Sequence, residues 1–154
     1  MPIDAAQPAI NTLLKIASQG SPQVYNVIAN VGDLSGPTMN GEVVDVTSHS
    51  TGSPWRQRIV TLLNPGEISL PLFFVPSSPG TNTPSTPFGH NASTGLLSIF
   101  TSRTLMSYSL TFPDAAATTW YFEGYITNFS QTAPVAGVLT AQITITMTGD
   151  PILA

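Results

Sequence analysis

Residues 138 to 149, VLTAQITITMTG, alternate without a break: Leu139, Ala141, Ile143, Ile145 and Met147 fall on one side, and Val138, Thr140, Gln142, Thr144 and Thr146 on the other. Successive side chains of a strand point to opposite faces, so this pattern predicts a long strand with one apolar and one neutral polar face. An apolar face of this length must be covered, and it therefore demands a sheet with a core on one side.

The same period recurs upstream. In GEISLPLFF, Ile68, Leu70, Leu72 and Phe74 share a face, and Pro71 lies on the other. Proline cannot donate to a ladder, which marks this strand as an edge or a bulge. MSYSLTF places Met106, Tyr108, Leu110 and Phe112 together, and the turn PDAAAT joins it to TWYFEGYITNF as a hairpin. TLLKIA and QVYNVIAN form an N-terminal hairpin, EVVDV at 42–46 forms a short strand, and RQRIVTLL is separated from GEISLPLFF by the turn residues Asn64, Pro65 and Gly66. One helix is expected, capped by Ser93 and running through TGLLSIFTS with Leu96, Leu97 and Phe100 at helical spacing. The expectation is a mainly β domain, 1–154, an antiparallel β-sandwich or partly closed barrel with one short flanking α-helix. Its appendages are an N-terminal arm at 1–11 and a long Pro/Ser/Thr-rich loop at 75–91, an insertion of the kind that is functional or mobile.

Charge narrows the function. Only 8% of residues are Asp, Glu, Lys or Arg, with four basic residues and a net charge of −4. Charged residues normally make up about a quarter of a chain, and they keep soluble monomers apart. Ser, Thr, Asn and Gln carry the polar surface here, as suits a secreted β-protein or a subunit covered by other subunits. The net charge and the lack of a basic patch argue against phosphate-directed nucleic-acid binding. The lack of cysteine leaves the redox compartment open, while the lack of a basic-then-apolar leader and of a membrane-length apolar run sets the expectation of synthesis in a cytoplasm, without secretion by the common signal route and without a membrane partner.

Reactive side chains crowd into GEVVDVTSHSTGSPWRQ, residues 41–57. Asp45, Ser48 or Ser50 and His49 have the residue types of a catalytic triad, but no nucleophile-elbow sequence accompanies them, and a Ser beside a His is expected by chance in so Ser-rich a chain. His90, in GHN, has no metal-ligand partner nearby and reads as a surface or loop-capping residue. Glu42 and Asp45 lie on opposite faces of a strand, and no phosphate loop is present. No catalytic residue, metal site or cofactor is expected. Trp55 either anchors a strand to the core or, with Arg56 and Arg58, forms a subunit contact of the composition found at interfaces. The aromatic run Trp120, Tyr121, Phe122 and Tyr125 is divided between two faces, which argues against a sugar platform.

The order of elements resembles the major tail tube proteins of long, non-contractile tailed bacteriophages, relatives of type VI secretion tube proteins. DLSGPTMNGEVVDVTSHSTGSPWRQRIVTLLNPGEISLPLFF carries the first half, and GLLSIFTS, MSYSLTFPD and TWYFEGYITNFSQTAPVAGVLTAQITITMTGDPIL the second, over roughly residues 12 to 152. The resemblance implies a structural protein without enzyme activity, six copies of which form a ring with a continuous inner β-barrel. Rings stack into a tail tube, assembled in the host cytoplasm with tape-measure and terminator proteins, through which double-stranded DNA passes without specific binding. Four strands from each of six copies, at about 4.8 Å spacing, give a backbone radius of about 18 Å, wide enough for a duplex. His49, Trp55, Arg56 and Arg58 become candidate subunit contacts, and Thr140, Gln142, Thr144 and Thr146 candidate lumen lining. A contractile-tail or secretion tube, another ring-forming tail component, a sugar-binding β-sandwich and a small hydrolase using His49 remain as alternatives.

Overall fold

The computed structural model describes residues 12–17, 24–28, 30–50, 52–80 and 87–153. The arm 1–11 and residues 81–86 of the long loop lie outside them. Eight strands and one helix follow in the order β1 (Leu13–Ala17), β2 (Tyr25–Val27), β3 (Asn40–Asp45), β4 (Arg58–Asn64), β5 (Glu67–Phe73), α1 (Leu96–Ser102), β6 (Met106–Thr111), β7 (Thr119–Thr132) and β8 (Thr140–Leu153). Six of the strands make one antiparallel sheet in the order β2-β1-β6-β7-β8-β5, and β3 and β4 pair only with each other.

Period-two alternation becomes burial as expected. Ile68, Leu70 and Leu72 of β5, Met106, Tyr108 and Leu110 of β6, and Ala141, Ile143, Ile145 and Met147 of β8 all point into one core. Leu96 and Ile99 of α1 cover that core, together with Phe88 and Phe74. Leu97 and Phe100 are only half-buried. Each fully buried side chain of this size contributes about 1.5–3 kcal/mol, so the sheet's inner face supplies the main stabilisation.

β5 is an edge strand, as Pro71 requires, and its outer side is not bare. Residues 30–38, which follow β2, run along it: Ser35 and Ser69 exchange both backbone hydrogen bonds (2.9 and 2.8 Å), Gly32 N–H donates to Pro71 O (2.8 Å) and Phe73 N–H to Asn30 O (3.0 Å). The odd-numbered residues of β5 therefore face this segment, while Phe74 N–H turns the other way to Leu139 O. Pro71 sits at an outward position, where its missing N–H breaks no bond to β8. Because the chain leaves one edge of the sheet and returns to the other, the sheet is partly wrapped but not closed into a barrel.

The helix begins later than its sequence signal. Its N-cap is Gly95, with no side-chain cap, and Ser93 does not cap it. Asn91 instead accepts from Thr94 N–H and Gly95 N–H through Oδ1, both at 2.8 Å, and so shapes a turn before Leu96. Residues 91–95 thus form a turn of their own, and α1 starts only at Leu96.

His90 is also placed differently from the surface position anticipated for it. It is fully buried, its ring stacks on Phe74, and Nδ1 accepts the Val75 N–H at 3.2 Å. The loop-capping half of the expectation stands. Together with Asn91 N–H and His90 N–H donating to Ser78 O, and Gly89 N–H to Pro79 O, it ties the two described ends of the 75–91 loop to each other.

Candidate functional site

Every residue of β3 and β4 is exposed. Val43 pairs with Val60 on one side of this ribbon and Val44 with Ile59 on the other, and Gly41 pairs with Leu63 after a bulge. Leu62 and Leu63 are among the most exposed apolar residues of the chain, at 71% and 78%. A hairpin of two strands is marginal in water without a hydrophobic face to pack on, and a strand pair apolar on both faces is of the kind that ends up buried on both. Among the described residues this ribbon leaves its apolar side chains open to solvent.

The main sheet fixes where the ribbon stands. The Pro65–Gly66 turn carries the chain from β4 into β5. Gly66 adopts φ +83° and donates its N–H to Asn64 Oδ1 at 2.9 Å, and a Cβ there would strike the Thr38 carbonyl. Thr38 N–H in turn donates to Glu67 O (3.3 Å), and Met147 N–H to Gly66 O (3.0 Å). The chain leaves and re-enters the main sheet through this one clasp. Beside it, Met39, Leu63, Pro65, Pro151 and Leu153 line an apolar groove.

At the far end, Thr47 and Gln57 close the neck of the tip loop, with Gln57 N–H donating to Thr47 Oγ1 at 2.8 Å. Asp45 Oδ1 accepts the Thr47 N–H (2.9 Å) and Oδ2 the Arg56 Nη1 (3.4 Å), while Arg58 lies opposite Asp45 in the ladder. Hydrogen bonding from Thr47 first, then the charge of Arg58 and the hydrogen bond from Arg56, holds the Asp45 carboxyl below its ordinary range. Trp55 is 78% exposed, so it is not an anchor to this chain's core. Thus Trp55, Arg56 and Arg58 stand together on one projecting tip, with His49 exposed in the same loop.

These geometries leave little for catalysis. Both carboxylate oxygens of Asp45 are taken by Thr47 and Arg56, and Ser48 and Ser50 hydrogen-bond each other through their hydroxyls at 2.8 Å on either side of His49. Among the described residues no group of three His, Cys, Asp or Glu side chains could hold a metal ion. A cleft of about 700 Å³ is lined by Leu34, Leu110, Phe112 and Trp120, and its acids are Asp33 and Asp114. Asp114 is committed to the β6–β7 turn, accepting from Thr118 N–H at 2.7 Å and Thr118 Oγ1 at 2.6 Å.

Thr140, Gln142, Thr144 and Thr146 line the outer face of β8, with Gln142 exposed and the three threonines half-buried. The register sets Tyr125, Asn128, Ser130 and Thr132 beside them on β7, and Glu67, Ser69, Pro71 and Phe73 on β5. Sequence reasoning missed the acidic members. Thr146 Oγ1 donates to Glu67 Oε1 at 3.3 Å and is hydrogen-bonded to Thr127 at 2.8 Å, and Glu123 pairs with Thr148 on the same face. Only pairing between strands distant in sequence reveals this; a lone Glu at the start of β5 carries no local sign of it.

The sequence profile of the family described as lambda phage tail tube protein, TTP, matches residues 11–154. The chain belongs to this tail tube family. It is accordingly a structural tail tube subunit. Solved structures agree on the fold. The tail of an empty gene transfer agent particle, determined with helical refinement and C6 symmetry, has a TM-score of 0.70 at 20% identity, covering 97% of this chain and 99% of that one. The virion of a native gene transfer agent particle gives a TM-score of 0.68 at 19% identity over the same shares. No curated protein matches the chain in sequence. No helix among the described residues is long and apolar enough to cross a membrane.

Proposed function

We propose that this tail tube protein assembles into rings of six that stack into the hollow tail of a phage-like particle, and that DNA leaves through the lumen. The observation that carries the reading is the β3–β4 ribbon, a hairpin whose apolar side chains the described residues leave exposed on both faces. Such a surface suits a subunit whose neighbours bury it. The C6 symmetry of the structurally similar gene transfer agent tail supports a ring of six.

In this reading His49, Trp55, Arg56 and Arg58 contact an adjacent subunit, and the face bearing Thr140, Gln142, Thr144 and Thr146 lines the lumen. Glu67 and Glu123 on that face add negative charge, and a duplex is repelled rather than gripped. Tape-measure and terminator proteins are the assembly partners, and the protein performs no catalysis and takes no cofactor. Negative-stain microscopy of purified protein at rising concentration tests the reading. Hollow tubes with a regular axial repeat are expected, and a persistent monomer overturns it.

A further inference from the structure

We propose that His90 is a proton-operated clasp: the neutral imidazole holds residues 75–80 against residues 88–91 at one end of the sheet, and acid releases them while the sheet stays folded. The inference goes beyond the tube reading and does not depend on it.

The clasp is built from the backbone outward. Val75 follows the edge strand β5, and Ser78 N–H donates to Val75 O at 3.1 Å, so the chain turns back at once. Across from this turn, His90 N–H and Asn91 N–H donate to Ser78 O at 3.0 and 2.9 Å, Gly89 N–H to Pro79 O at 3.1 Å, and Gly80 N–H to Thr94 Oγ1 at 3.0 Å. One side chain closes the arrangement from inside: His90 Nδ1 accepts the Val75 N–H at 3.2 Å. The ring is fully buried and stacks on Phe74, with centroids 6.0 Å and planes 20° apart, and Phe74 in turn meets the Phe129 ring of β7 at 5.4 Å. With the ring so held, Nδ1 faces the Val75 amide.

Protonation decides whether this bond exists. A backbone N–H can only donate, so His90 must present a bare Nδ1 and carry its proton on Nε2. A second proton would occupy Nδ1 and set two donors against each other, and a charge on another group could not restore the bond. It would also place a cation where water does not reach, and burial disfavours the charged form.

The surrounding elements bring little charge to the site. Among the described residues, Glu67 and Asp150 lie at the far ends of β5 and β8, Glu123 and Tyr125 on the outer face of β7, Arg103 after α1 and Asp33 beside β5, and all are exposed. Lys15 of β1 and Tyr25 of β2 are half-buried. Tyr108 of β6 shares the core and keeps its proton, since burial raises its pKa.

The direction of the pH effect follows from linkage. The closed form excludes a proton that the open form accepts, so closure is favoured above the ordinary histidine pKa of about 6.5 and lost as pH falls below it, by up to about tenfold in the opening equilibrium per pH unit.

Amide hydrogen exchange of the full-length subunit, followed residue by residue between about pH 7 and pH 4.5 and corrected for the intrinsic pH dependence of exchange, tests the clasp. Protection of the Val75 amide should fall by up to about tenfold per pH unit below about pH 6.5, while that of the Ile143 amide in β8 stays constant. His90→Asn offers an acceptor near the place of Nδ1 without a titrating ring, and should keep Val75 protection level across the range. Wild-type Val75 protection that does not change with pH overturns the proposal. So does an equal fall in His90→Asn, or an equal fall at Ile143, which would mean that acid unfolds the whole subunit. If His90→Asn does not fold, the wild-type ring decides: its signals should shift over the pH range in which Val75 loses protection, and a ring that titrates while Val75 stays protected overturns the clasp.

Discussion

Arg56 Nη1 lies 3.4 Å from Asp45 Oδ2, an ion pair across the tip of the β3–β4 ribbon. Both side chains are largely exposed, so the pair is screened and adds little to folding; its effect is to order the loop it closes. Asp45 also holds the Thr47 N–H, and its carboxyl is lowered below the reference value of 3.8. A carboxyl depressed in the folded state contributes order that is fully present above the unfolded pKa and is lost as pH falls through the folded one. The Thr47 amide should therefore shift on acidification only below about pH 4, and Asp45→Asn should shift it at neutral pH. A Thr47 amide resonance that moves mainly above pH 5 would contradict this assignment.

Gly66→Ala should be the most damaging of the small glycine changes. A Cβ there meets the Thr38 carbonyl, and φ of +83° is disfavoured for any L side chain. Strain of about 1–3 kcal/mol is expected, plus the displacement of the clasp. Gly52→Ala, whose Cβ would have nothing within 4 Å, is the control. Urea midpoints that fall equally for both would show that the clasp is slack.

Tyr108→Phe should be neutral or stabilising. The Tyr108 hydroxyl is buried with no hydrogen-bond partner among the described residues, and burial pushes its pKa up. Removing an unsatisfied buried hydroxyl relieves a desolvation penalty of about 1–3 kcal/mol. Its ring stacks on Phe122 with centroids 5.6 Å apart, a contact the Phe variant keeps. A thermal midpoint lowered by several degrees would mean that the hydroxyl is satisfied after all.

The two faces of β8 should respond oppositely. Ile143→Ala removes a side chain 1% exposed and should cost about 2–5 kcal/mol, whereas Gln142→Ala next to it should stay within about 0.5 kcal/mol. Chemical denaturation of both variants checks this directly. Equal losses would mean that the outer face is packed in the free subunit.

Trp55→Ala should leave the monomer's stability within about 0.5 kcal/mol of wild type while raising the concentration needed for polymerisation. Exposure of 78% removes the core explanation for this residue, so an unfolded variant is not expected. Normal tube formation by this variant would remove Trp55 from the interface.

Sidedness was legible from the start. Alternation in VLTAQITITMTG and GEISLPLFF named the buried faces of β8 and β5, and Pro71 identified an edge, because period and proline geometry act within a strand. What one strand meets lies beyond that range. IVTLLN and the strand after it read as equally good sheet segments around a turn, yet β4 leaves with β3 and β5 joins β8, nearly eighty residues away. Partner choice is settled by the total apolar area that the sheet can bury, and the ribbon is what remains outside it. The same competition buried His90 against Phe74, left Trp55 in solvent, and brought Glu67 beside Thr146. Residue pattern determined which way each side chain points; non-local pairing decided which of those directions is core and which is surface.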